Sequence, residues 1–153
     1  MKSIQNYRTM SDDNSVNADL EKPFISELGE QNQRTSRSWV PYFGYIDLTR
    51  AIFSGADLGN ASFDGANLSF SSMVNADLVG ATLTGSDLSE AKLTGVSLHE
   101  ANHSEADLSG SNMKKANLQG ANLSGVDLRG ANLSGAKLDD VQWPAGWKLV
   151  RDQ

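Results

Sequence analysis

The chain has no cysteine, which excludes a disulfide framework and a thiolate metal site and suits a reducing compartment. No stretch approaches the roughly 20 consecutive apolar residues of a membrane-spanning helix. The opening segment, MKSIQNYRTMSDDNS, lacks the apolar run of a secretory signal. A soluble, cytoplasmic protein without a membrane partner is therefore expected. Basic residues are in the minority, 13 Lys and Arg against 19 Asp and Glu, for a net charge of −6. That balance argues against direct binding of a phosphate backbone, and no direct nucleic-acid contact is expected. Signatures of a phosphate loop, a dinucleotide fold, a zinc cluster or a catalytic triad are missing. No catalytic, cofactor-binding or metal-ligating residue is assigned, and an enzyme is not expected.

What the sequence has instead is repetition. From Ile46 the chain divides, without insertion or deletion, into nineteen fives ending at Asp140. Ala56-Asp57-Leu58, Ala66-Asn67-Leu68, Ala106-Asp107-Leu108 and Ala131-Asn132-Leu133 are representative. Val141-Gln142-Trp143-Pro144-Ala145 keeps the phase after the consensus is lost. The third place of each five is Leu, Phe or Met, except for His103. The first is nearly always Ala or Ser, and the fifth is Gly in ten of the nineteen.

A period of five fits neither regular element. On a helix, successive third places would step about 140° and scatter around the axis. On a continuous strand an odd period would send alternate leucines to opposite faces. The pattern is buried consistently only if the chain turns a corner once in each five. First and third places then point inward, and glycine at the fifth turns through positive φ. Periodicity alone leaves the number of sides per coil open.

The A-(D/N)-L-x-x fives resemble the pentapeptide-repeat family over residues 46–140. The resemblance implies an all-β fold, a right-handed quadrilateral β-helix with four fives to a coil. Nineteen fives would make about five coils, a rod about 24 Å long at the usual spacing of roughly 4.8 Å. The expected organisation is a polar, largely disordered tail (1–38), an aromatic N-terminal cap (39–45), the solenoid (46–145) and a C-terminal cap or tail (146–153).

Two features stand out as candidate functional residues. His103 occupies a leucine position, with Leu83 and Leu123 above and below it on a four-sided coil. The expected state is a neutral imidazole, bonded to backbone or water and with a lowered pKa; a pH-sensitive or ligand-binding role is the alternative. One histidine makes no metal site, and His99 is expected to point outward. Second places twenty residues apart form a column of Asp47, Asn67, Asp87, Asp107 and Asp127, with Glu90 on the same face and Glu100 and Glu105 near its edges. This is a candidate acidic interaction face.

The expected function is a non-enzymatic, rigid interaction module for an unidentified protein partner, with the oligomeric state open. The resemblance also implies an alternative. Family members associated with quinolone resistance mimic duplex DNA and bind DNA gyrase through an acidic rod. Those relatives are long dimers joined by a C-terminal helical segment. This chain carries thirteen residues past Asp140 and no inserted loop, so the plain interaction module is the expected reading.

Overall fold

The computed structural model describes residues 41–147; the expected tail, Trp39, Val40 and residues 148–153 lie outside them. Every second-place residue from Tyr42 to Asn122 pairs in parallel with the residue twenty further on, giving seventeen bridges. Twenty residues per coil is four fives, so the rod is a quadrilateral β-helix, right-handed as the fold of the family it resembles. Its four sides are named here by their first second-place residue, as the Tyr42, Asp47, Ile52 and Asp57 faces. The ladder starts one five ahead of Ile46. Tyr42 pairs with Ser62, and the Phe43 amide donates to the Ser62 carbonyl at 2.6 Å. The aromatic stretch at residues 41–45 is thus part of the first coil as well as its cover.

A buried backbone must satisfy its N–H groups, and the repeat does so by a recurring division. The first-place amide closes a turn onto the third-place carbonyl before it, as Ala51 does to Leu48 at 2.9 Å. The second-place amide donates to the preceding coil, as Asn67 does to Ile46 at 3.0 Å. Third- and fifth-place amides donate to the following coil, as Leu48 does to Asn67 at 2.7 Å and Arg50 to Ser69 at 2.9 Å. The fourth-place amide finds no carbonyl. Where the second place is Asp or Asn, it donates instead to that side chain of its own five: Ser89 to Asp87 at 2.9 Å, Ser109 to Asp107 at 2.8 Å, Ser104 to Asn102 at 3.1 Å. Asp and Asn recur at the second place because this two-residue reach is an Asx turn.

The corner itself explains the fifth place. All twenty fifth-place residues from Tyr45 to Asp140 have φ between 56° and 75°, as the third residue of a type II turn requires. Ten of them nonetheless carry side chains, and Tyr45, Asn60, Asn75 and Glu90 among them reach over the glycine corner of the coil that follows. A Cβ at Gly65 would lie 2.5 Å from the Tyr45 ring, and one at Gly110 would strike the Glu90 carboxylate. Positive φ favours glycine at both corners, and a side chain there would also have to displace the Tyr45 ring or the Glu90 carboxylate.

Third-place side chains fill the interior, and Leu58 through Leu128 are almost wholly buried. Each contributes about 1.5–3 kcal/mol on removal from water. At the N-terminal end three rings close the core: Phe43 stacks on Phe63 at 4.8 Å and meets Phe53 edge-on at 6.1 Å. Three buried first places hold serine. Ser86 and Ser111 each donate to the turn carbonyl, Leu83 or Leu108, at 2.7 Å, whereas the Ser71 hydroxyl has no partner. Ser71→Ala should therefore be neutral or stabilising by about 1 kcal/mol, while Ser111→Ala loses a bond worth about 1 kcal/mol. Urea unfolding of the two variants would check the difference in sign.

Candidate functional site

The stack brings the expected acidic column together: Asp47, Asn67, Asp87, Asp107 and Asp127 pair in sequence along one face. Their carboxylates are not free, however. Each accepts the amide two residues on, and Thr49 adds its hydroxyl to Asp47 at 2.6 Å. That hydroxyl, followed by the Thr49 amide, holds the Asp47 carboxyl below the usual carboxylate range. Arg129 grips Asp127 through Nε and Nη2, which with its amide lowers the Asp127 pKa and raises that of the guanidinium. Stacked carboxylates about 4.8 Å apart repel by at most about 0.9 kcal/mol in water, a cost set against the amide each one satisfies.

Charge is divided unequally among the sides. Counting each five with its own face over residues 46–140, the Asp47 face is −3 and the opposite Asp57 face −4. The Asp57 face carries Asp57, Asp77, Glu100, Asp139 and Asp140 against Lys137. Sequence reading missed this second acidic side because it followed a single column of aspartates. The same twenty-residue step from Asp57 reaches Asp77 and exposes the signal. Glu90 sits at the corner of the Asp47 and Ile52 faces and Glu105 at the corner of the Tyr42 and Asp47 faces. Glu100, expected near the edge of the Asp47 face, lies off it at the corner of the Asp57 and Tyr42 faces, because its five belongs to the Asp57 side. The Ile52 face, with Lys92, Lys114 and Lys115, has no carboxylate in its own fives and is +3.

On the Tyr42 face the second places are Ser62, Thr82, Asn102 and Asn122, and Asp64 does unusual work from a fourth place. It accepts the Thr84 amide of the next coil at 2.8 Å, the Thr82 hydroxyl at 2.9 Å and the Ser62 hydroxyl at 3.2 Å. Thr82 cannot make the Asx turn, and Asp64 replaces it from one coil away. Asp64→Ala should lower stability by roughly 2 kcal/mol, since it strands an amide and two hydroxyls at once. Asp64→Asn should recover much of that in a thermal melt.

His103 lies in the core with 0% exposure. Its backbone follows the common pattern, donating to the Asn122 carbonyl at 2.9 Å. The expectation that its ring would bond to backbone is not met: neither Nδ1 nor Nε2 has a hydrogen-bond partner. Burial pushes its pKa down to about 4. The Ala101 backbone pulls the other way, without making a full hydrogen bond to either ring nitrogen. His99 does face outward, its Nδ1 2.8 Å from the Gln119 carbonyl and its Nε2 3.5 Å from Glu100. Among the described residues no three His, Cys, Asp or Glu side chains gather as a metal site. Nor is any helix among them long and apolar enough to cross a membrane.

A family model described as pentapeptide repeats matches in eight copies, over residues 42–78, 61–99, 91–130 and 101–140. No curated protein matches the sequence significantly. Among solved structures, a pentapeptide repeat protein of the cyanobacterium Cyanothece 51142 is 39% identical, over 64% of this chain and 64% of that one, with a TM-score of 0.56. A pentapeptide repeat protein of the Arabidopsis thaliana thylakoid lumen is 32% identical over 65% and 69% of the two chains, with a TM-score of 0.63. The chain thus spans 64% of the length of the cyanobacterial protein. The plasmid-mediated fluoroquinolone resistance protein QnrB1 is 20% identical over 65% of each chain, and its TM-score of 0.23 carries no argument about function. With the family model covering residues 42–140 and the coil closing every twenty residues, the chain belongs to the pentapeptide-repeat family.

Proposed function

We propose that the chain is a non-enzymatic scaffold, a stiff rod that presents fixed columns of side chains to a protein partner. The observation that carries this reading is the division of labour within each five. Second-place Asp and Asn are committed to fourth-place amides, and the interior is filled by Leu, Phe and Met. Side chains left to act are those on four flat faces, held one coil apart by continuous backbone pairing. Such a surface costs little conformational entropy when a partner docks. Affinity capture from native cells should yield a protein that binds the purified rod with a defined stoichiometry. Turnover of a small molecule by the rod alone would remove the reading.

The gyrase alternative draws on one observation, the acidic charge on two opposite faces. The lysine-bearing side between them interrupts what would otherwise be an anionic envelope, and Arg129 neutralises Asp127. The expected result is that the rod leaves gyrase supercoiling unaffected at stoichiometric concentration. If it inhibits, and inhibition falls steeply with salt and is lost when Asp87, Asp107 and Asp127 become Asn, mimicry replaces the scaffold reading.

A further inference from the structure

The Ile52 face differs in kind from the other three. Lys92, Lys114 and Lys115 are exposed, and none makes an ion pair among the described residues. Lys92 pairs through its backbone with Asn112, so the three ammonium groups occupy two successive coils. Toward the N-terminal end the same side turns apolar. Ile52 is 47% exposed at a second place, where polar residues are the rule, and Phe70 is 54% exposed at the adjoining corner. The Arg50 guanidinium lies 5.9 Å from the Phe70 ring centroid, adding a further cation to that corner. Glu90 is the one carboxylate on the border.

Resting on the scaffold reading, we propose that the Ile52 face is a docking surface for an acidic, amphipathic polypeptide segment lying along the rod. Its carboxylates would meet the three lysines, and an apolar side chain would cover Ile52 and Phe70. Charge complementarity selects the sign of the partner, and geometry selects its width. A three-residue strand side is about 10 Å across, enough for one strand or one helix of 10–12 Å diameter. A nucleic-acid duplex, charged once per roughly 1.7 Å, would overhang this side. Its phosphates would then face the flanking acidic faces within about a Debye length of 8–10 Å. A second copy of the rod could offer an acidic face, but joining unlike faces is heterologous and tends to propagate into filaments.

Fluorescence anisotropy would test this with three labelled probes: a Glu/Leu amphipathic peptide of sixteen residues, poly-L-glutamate of similar length, and a sixteen-base-pair DNA duplex. Sedimentation velocity of the rod alone completes the set. The expected order is peptide tighter than polyglutamate, with the duplex weakest. Changing Lys92, Lys114 and Lys115 together to Glu should weaken the peptide at least tenfold, and Ile52→Ser with Phe70→Ser about fivefold. Asp77→Asn on the adjacent face should leave binding within twofold. If the Glu variant loses its fold, the triple Gln variant makes the same test with a smaller loss. Absence of peptide binding, binding retained in the lysine variants, tighter binding of the duplex, or lysine-dependent self-association would each overturn the proposal. The scaffold reading would still stand or fall on its captured partner, so the two failures are distinguishable.

Discussion

His103→Leu should stabilise the rod by roughly 1–3 kcal/mol at neutral pH, and by more as the pH falls. The neutral-pH gain comes from removing two ring nitrogens that are buried without partners, each a desolvation cost with no compensating bond. Leucine also continues the column of Leu83 and Leu123, both fully buried. The acid effect follows from linkage. The folded-state pKa is about 4 and the ordinary value 6.5, so between those limits the unfolded chain takes up a proton that the folded chain refuses. Stability contributed by the neutral imidazole is complete above pH 6.5 and drains as the pH falls toward 4. At 1.36 kcal/mol per unit, the loss is roughly 3 kcal/mol. Asp47 and Asp127, held low in the fold, lose their contribution only below the ordinary carboxylate value, and they do so in both proteins. Urea unfolding at pH 7.5, 5.5 and 4.5 isolates the histidine. Parallel loss of stability in wild type and variant across that window would show that the imidazole is not isolated as described.

The second large effect separates structure from charge. Asp87→Ala with Asp107→Ala should cost roughly 2–3 kcal/mol, whereas Asp87→Asn with Asp107→Asn should cost nearly nothing. Alanine strands the Ser89 and Ser109 amides, now 2.9 and 2.8 Å from the carboxylates. Loss of a comparable side-chain cap on backbone N–H typically costs about 1 kcal/mol. The two sites pair across adjacent coils, so their effects need not be strictly additive. Asparagine keeps the accepting oxygen, as Asn67 does for Ser69 at 3.1 Å, and removes the repulsion between stacked charges. Thermal melts of the two double variants give the comparison. Equal destabilisation by Ala and Asn would mean that the charge itself holds the face together, and the Asx explanation would fail.

These two sites also mark the limit of what pattern reading reached. The leucine at His103's position was conspicuous by its absence, and its burial followed from the period. The isolation of the ring did not, because it depends on which atoms of neighbouring coils come within bonding distance. The Asp47 column was visible as every twentieth residue once four fives were assigned to a coil. Its binding to amides two residues away was also readable in principle, since Asp-x-Ser and Asn-x-Ser are Asx-turn signals. It was missed because the carboxylates were read as surface charge. Ser71 gives a third instance: it, Ser86 and Ser111 look identical in the repeat, yet the hydroxyl of Ser71 alone among them lacks a partner.

From the sequence alone came the corner in every five and the inward first and third places. Each is a local consequence of a five-residue period that no helix or continuous strand can bury. The number of sides is a different matter, since periodicity is silent on it and the family resemblance supplied it. Parallel pairing of each second place with the residue twenty further on settles it. That pairing is non-local, and it alone decides which charges share a face. Lys92 is separated along the chain from Lys114 and Lys115 by three fives, one on each of the other faces, and they become neighbours only when a full coil closes between them.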